Sequence, residues 1–141
     1  MISWESSTFI ARTADEVFGY VADVRNDPNW HKDVQSATVI KGKGPLGEGT
    51  VFDVKAKVSG TEEIIVYAAP HKVVLKGGDM GKMVPTDTRT IEPVDGGVRF
   101  TRHVDLDAAG FMGWMTKRML GTITKRNDQF VENLRLVLEA D

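Results

Sequence analysis

Cysteine is absent from the 141 residues, which removes disulfide frameworks, thiolate metal sites and cysteine nucleophiles from consideration. Histidine is scarce: His31, His71 and His103 are scattered, and no two have the i, i+4 spacing that puts two imidazoles on one helix face for zinc. No metal site and no cofactor are expected. There is no excess of positive charge, because 18 Lys and Arg face 20 Asp and Glu, a net charge of -2 with a pI of about 5.9. No global field therefore recommends nucleic acid as a partner. Apolar runs fall short of the roughly 18 residues that a membrane-spanning helix needs. The start, "MISWESSTFIAR", lacks the basic residues and apolar core of a signal peptide. A cytoplasmic protein follows as an expectation. A G-x-S-x-G element is missing too, so a hydrolytic serine has no support.

What remains suits one domain over residues 1–141. Hydrophobic residues make up 41% of the chain, and a chain of this length buries roughly two thirds of the surface its unfolded form exposes. Residues 3 to 12 read as a strand. Thr13 and Glu16 have the spacing of a capping box before "EVFGYV", which predicts a short helix, and Pro28 in "RNDPNW" marks the start of a second. From Val34 to about Asp107 the apolar period becomes two, punctuated by "KGKGPLGEG", "SGTE", "APHK", "KGGDMGK" and "VDGG". Six strands result, and such short turns connect antiparallel neighbours. Over residues 110–139, Met112, Met119, Ile123, Phe130, Leu134 and Val137 fall in one arc at 3.6 residues per turn, predicting one long amphipathic helix. The expected fold class is α+β, with helices covering one face of a seven-stranded antiparallel sheet.

"GKGPLG", residues 42–47, spells G-x-G-x-x-G, but "EGTVFDVKAKV" after it reads as a strand. A dinucleotide site needs a helix there, whose N-terminal amides hold the pyrophosphate, so the segment is read as a hairpin turn.

The order of elements, with "TFIARTADEVFGYVADVRNDPNWHKDV", "GPLGEGTVFDV" and "PVDGGVRFTRHVDL" before the closing helix, resembles the START-like (SRPBCC, Bet v 1-like) superfamily and its polyketide cyclase/dehydrase-like group. The resemblance covers essentially the whole chain. It implies a helix-grip fold, in which a curved sheet wraps the C-terminal helix and leaves a cavity for a small hydrophobic molecule. Trp30 is then expected at the cavity mouth, and the inward-facing Phe52, Val54 and Phe100 on its wall.

The strand register adds polar candidates. In "GVRFTRHVDL", Arg102 shares the parity of Val98, Phe100 and Val104; in "TDTRTIEPV", Arg89 and Asp87 share that of Ile91, a register left open because the opposite set, Thr86, Thr88 and Thr90, also suits a cavity wall. A buried arginine must be paired or meet an anion, since stranding its charge costs several kcal/mol. Arg102 and Arg89 are therefore candidates to hold a carboxylate or enolate oxygen, with Asp87 as their resting partner; a purely structural ion pair is the alternative. Asn127 interrupts the apolar stripe of the last helix and is a candidate to orient a ligand, beside Ile123. Met112, Met115 and Met119 supply adaptable apolar surface and are expected to wall the cavity.

Three readings result. The first is carriage or sequestration of a polyketide, fatty acyl or isoprenoid compound. The second is an aromatase/cyclase-type enzyme acting on poly-β-ketones, with His31 and Arg102 as catalytic candidates; against that role, His31 is expected to be a surface or capping residue. The third is an interaction module. Trp114 falls opposite the methionine arc, and residues 111–127 hold four cations and no acid, a composition compatible with peripheral membrane contact or a homodimer interface as well as with a monomer.

Overall fold

The computed structural model describes residues 1–78 and 83–140; the tip of the turn expected at "KGGDMGK" lies outside the described residues. The strands are β1 (Ile2–Ile10), β2 (Val34–Lys41), β3 (Val51–Ala56), β4 (Gly60–Ala68), β5 (Lys72–Gly78), β6 (Met83–Val94) and β7 (Gly97–Ala108). They form a seven-stranded sheet ordered β1-β7-β6-β5-β4-β3-β2, with every neighbouring pair antiparallel. β2 to β7 are thus the meander that the short turns predict, and β1 closes onto the outer edge of β7. Register shifts between β2 and β3 and between β4 and β5 mark bulges, the devices by which a sheet bends locally. "GKGPLG" lies in the connection from β2 to β3, with Gly42 and Gly44 at φ 84° and 110°, conformations that favour glycine. No helix follows it.

Between β1 and β2 stand α1 (Ala14–Val21) and a short 3₁₀ helix (Val24–Asn29). The capping box forms: the Glu16 amide donates to Thr13 Oγ1 at 3.2 Å, and the Thr13 amide donates to Glu16 Oε1 at 3.2 Å. Such reciprocal bonds satisfy helix-start amides that have no partner within the helix. Asp23 caps the 3₁₀ helix by accepting from the Arg25 amide at 3.1 Å. Together these segments carry Val17, Phe18, Val21, Val24 and Trp30 into a core shared with Phe52, Val54, Ile64, Phe100, Phe130 and Leu134.

The closing helix departs from the expectation of one continuous rod. It divides into α2 (Gly110–Arg118) and α3 (Leu120–Glu139) at Met119, whose ψ of 9° is not helical. A 3.6-residue phase does not carry across such a break. Accordingly Met112, Met115 and Met119 are exposed, which corrects the inward facing predicted for them. Val137, near the C-terminal end of the predicted arc, is also exposed. The side of α2 that meets the body is its small one, Gly113 and Thr116. A methyl group at Gly113 would stand 2.5 Å from the Ala108 carbonyl oxygen, so no larger residue fits that contact. α3 buries Asn127, Phe130, Val131 and Leu134.

Candidate functional site

Alternation along β6 and β7 brings charge into the interior. Asp87, Arg89 and Ile91 are buried on one face of β6, and Val98, Phe100, Arg102 and Val104 on the same face of β7, which settles the register of β6. Arg89 is fully enclosed. Its Nη1 and Nη2 donate to the two carboxylate oxygens of Asp27 at 3.0 and 2.8 Å, Nη1 also to the Val21 carbonyl at 2.9 Å, and Nη2 to Asp87 Oδ2 at 3.0 Å. Its guanidinium lies 4.9 Å from the centre of the Trp30 ring, within cation–π range. Arg102 donates to Asp87 Oδ2 from Nε at 3.1 Å and Nη2 at 3.0 Å, and to Asn127 Oδ1 from Nη1 at 2.8 Å. The network therefore runs from the 3₁₀ helix through the sheet to α3.

Arg102 and Asn127 also border a cavity of about 230 Å³ between sheet and helix, together with Trp4, His31, Asp33, Ile123, Arg126 and Phe130. Trp4 comes from the inward face of β1, and His31 from the end of the 3₁₀ segment, where its ring stacks on Phe130 at 4.4 Å. Arg126 pairs with Asp33 at the rim. A guanidinium has five N–H donors, and the protein takes three of Arg102's. Among the described residues the other two have no protein acceptor, and Arg102 lines the cavity.

Among the described residues, five buried polar atoms lack a protein partner: Trp30 Nε1, His31 Nδ1, Glu62 Oε2, Asp87 Oδ1 and Arg89 Nε. Of these residues only His31 borders the cavity; buried polar groups are as a rule hydrogen-bonded, to protein or to ordered water. Burial pushes the Glu62 carboxyl up to about 7, with Asp27 adding to the rise and Arg89 opposing it. His31 moves the other way: burial, then the cations Arg102 and Arg89, hold it well below its ordinary value of 6.5, leaving a neutral imidazole. Asp87 is held well below the carboxylate range because Arg102 and Arg89 outweigh its desolvation.

The structure thus brings Arg102, Ile123, Asn127 and His31 together around one cavity. The expectation of a surface or capping position for His31 is corrected in part: the residue is half-buried, its ring stacked on Phe130 and its Nδ1 turned away from solvent, whereas His71 stands exposed in its turn. Trp30, Phe52, Val54 and Phe100 sit in the packed core, and Asp87 and Arg89 lie behind Arg102. Asp27, Glu62 and Trp4 escaped the sequence reading. Two inward arginines against one inward aspartate already implied a second acid, and Glu62 shares the parity of the buried Ile64 on β4. Trp4 alternates with Ile2 and Ser6. Among the described residues no cluster of His, Asp and Glu could hold a metal ion, and no helix is long and apolar enough to cross a membrane.

A family model described as "Polyketide cyclase / dehydrase and lipid transport" matches residues 1–139. The chain belongs to this family. Among solved structures, this polyketide cyclase/dehydrase-like chain is similar to TTHA0849 from Thermus thermophilus, at 14% identity and a TM-score of 0.78 over 97% of both chains. It is similar to the hypothetical protein jhp0584 from Helicobacter pylori, at 10% identity and a TM-score of 0.82 over 98% of this chain and 88% of that one. Ara h 8.0201 aligns at 17% identity and a TM-score of 0.61 over 92% and 97%, which carries the Bet v 1-like character of the helix-grip fold. At these identities the likeness shows the fold alone. A search of the curated proteins finds no match.

Proposed function

We propose that the protein binds a small hydrophobic or amphipathic molecule of polyketide, fatty acyl or isoprenoid type between sheet and α3, and carries or sequesters it. The observation that carries this reading is the cavity bounded by Arg102, Asn127 and His31 on its polar side and Trp4, Ile123 and Phe130 on its apolar side. An apolar recess with a few placed polar groups is the usual make-up of a small-molecule site. At about 230 Å³ it has room for roughly eight water-sized groups. That volume suits the oxygen-bearing end of a longer molecule, with the two remaining Arg102 N–H groups as its donors. Because Asp87 already balances Arg102, a carbonyl or hydroxyl oxygen fits as well as a carboxylate.

Carriage is favoured over cyclase chemistry by the state of His31. A general base works best with a pKa near the operating pH, whereas burial and two neighbouring cations disfavour the imidazolium here.

Native mass spectrometry of the purified protein tests for a retained ligand, and displacement of a fluorescent fatty-acid probe measures the site. Ile123→Trp fills the cavity while leaving every residue of the ion network in place, and is expected to abolish probe binding. Undiminished affinity in that variant overturns the reading.

A further inference from the structure

α2 is built inside out relative to an ordinary surface helix. Its buried side is Gly113 and Thr116, while Phe111 is 65% exposed, Trp114 56% and Met119 48%, with Met112 and Met115 also on the surface. Phe111 and Trp114 form one aromatic pair, ring centres 5.7 Å apart. Soluble proteins rarely leave so many large apolar side chains together in water unless the patch meets a partner. Along this segment the charge has one sign: α2 carries the exposed Lys117 and Arg118, no acid occurs from residue 110 to 127, the nearest before it being the exposed Asp107, and the Arg118 guanidinium lies 5.5 Å from the Trp114 ring centre. A groove of about 290 Å³ runs beside Trp114 and Lys117 over Ile2, Ala108 and Gly113.

From this arrangement we infer that α2 is a docking surface for an anionic lipid bilayer, with Phe111 and Trp114 entering the headgroup–acyl boundary and Lys117 and Arg118 meeting the lipid phosphates. Tryptophan with a polar edge and long cations suits that depth, where each apolar body is buried and each charged end stays wet. A protein partner would need acids to match the cations and a cleft to match the rings; an anionic bilayer offers phosphates for the cations and an apolar layer beneath them for the rings. Two basic residues alone give weak, reversible attraction, which fits transient visits better than anchoring.

The inference does not depend on what the cavity holds, and its test reads a different quantity. Full-length protein is co-sedimented with vesicles of phosphatidylcholine alone and of equal parts phosphatidylcholine and phosphatidylglycerol. Binding is expected only to the anionic vesicles and to weaken with added salt. Lys117→Gln/Arg118→Gln should lower the partition coefficient by about 25-fold, from roughly fivefold per basic residue. Phe111→Ser/Trp114→Ser should bring it to the level on phosphatidylcholine; all four positions are exposed, so folding, checked by near-ultraviolet circular dichroism, should persist. Wild-type protein that ignores anionic vesicles overturns the inference, as does a serine variant that still binds them. Sedimentation velocity showing a dimer that the serine variant dissolves, without vesicle binding, would assign the patch to a second copy of the chain instead.

Discussion

Arg89 and Arg102 are direct cross-strand partners on β6 and β7, both pointing into the core. Like charges directly opposed in a sheet repel, and here both side chains are buried. One atom resolves the conflict: Asp87 Oδ2, two residues along β6, accepts from both guanidiniums. Asp87→Asn should therefore destabilise by about 3–5 kcal/mol, the usual effect of breaking a buried ion pair from one side. Urea unfolding of Asp87→Asn, of Arg102→Leu and of the double variant measures it. The double variant should lose less than the two single losses added together, because Arg89 keeps Asp27; strict additivity would mean that Asp87 does not couple the arginines.

Glu62 gives a pH dependence of opposite sign to the common carboxylate case. Its folded value is raised to about 7 from an ordinary 4.5, so the folded state holds the proton more tightly. Below pH 4.5 both states are protonated and the group is neutral to stability. As pH rises toward 7 the unfolded chain ionises first, and stability falls; above 7 the cost is complete, on the order of 3 kcal/mol. Glu62→Gln should match wild type near pH 4.5 and exceed it at pH 8 in paired denaturation curves. Equal curves at pH 8 would place the carboxylate in contact with water.

The sheet was legible because its signal is local. Alternation placed Arg102 beside Phe100 and Val104, and the Thr13 and Glu16 spacing announced the start of α1. What escaped depends on geometry that no period encodes. Asp27 reaches Arg89 from a 3₁₀ helix 62 residues earlier in the chain, and parity says nothing about where such a residue points. The methionines failed for a related reason: the arc through Met112, Met119 and Ile123 assumes one axis, and the break at Met119 provides two. Of the candidate site, the strand and α3 members, Arg102, Ile123 and Asn127, came from periodicity. The position of His31 against Phe130 required the packing of a turn onto a helix.

Two glycines should respond oppositely to the same methyl group. At Gly97, which opens β7, an added Cβ would stand 2.1 Å from the Ile10 carbonyl oxygen, a backbone atom that cannot swing aside. Gly97→Ala should cost about 1–3 kcal/mol, as overpacking does, and loosen the pairing of β1 with β7. At Gly121, in the first turn of α3, nothing lies within 4 Å, and Gly121→Ala should stabilise by about 0.5–1 kcal/mol through helix propensity. Thermal unfolding of the two variants, with midpoints moving in opposite directions, checks the contrast.

The histidines should separate in a single nuclear magnetic resonance titration. His31, stacked on Phe130, is held well below 6.5 by desolvation and by the charges of Arg102 and Arg89. His103 loses something to burial, but its bonds to Asp105 and Glu5, at 2.9 and 3.2 Å, raise it above 6.5. Their linkages to folding oppose each other. For His31, the unfolded chain gains a proton that the folded state resists, so its contribution is intact above pH 6.5 and is lost as pH falls below it. For His103, the contribution is present below 6.5 and disappears as pH rises through its folded value. A His31→Gln variant should thus lose part of the wild-type decline in stability between pH 6.5 and 5, while Glu62 continues to favour the acidic side of the same window. Wild-type His31 titrating at or above 6.5 would mean that the cavity admits solvent to its ring, and would remove the reason for preferring carriage to proton transfer.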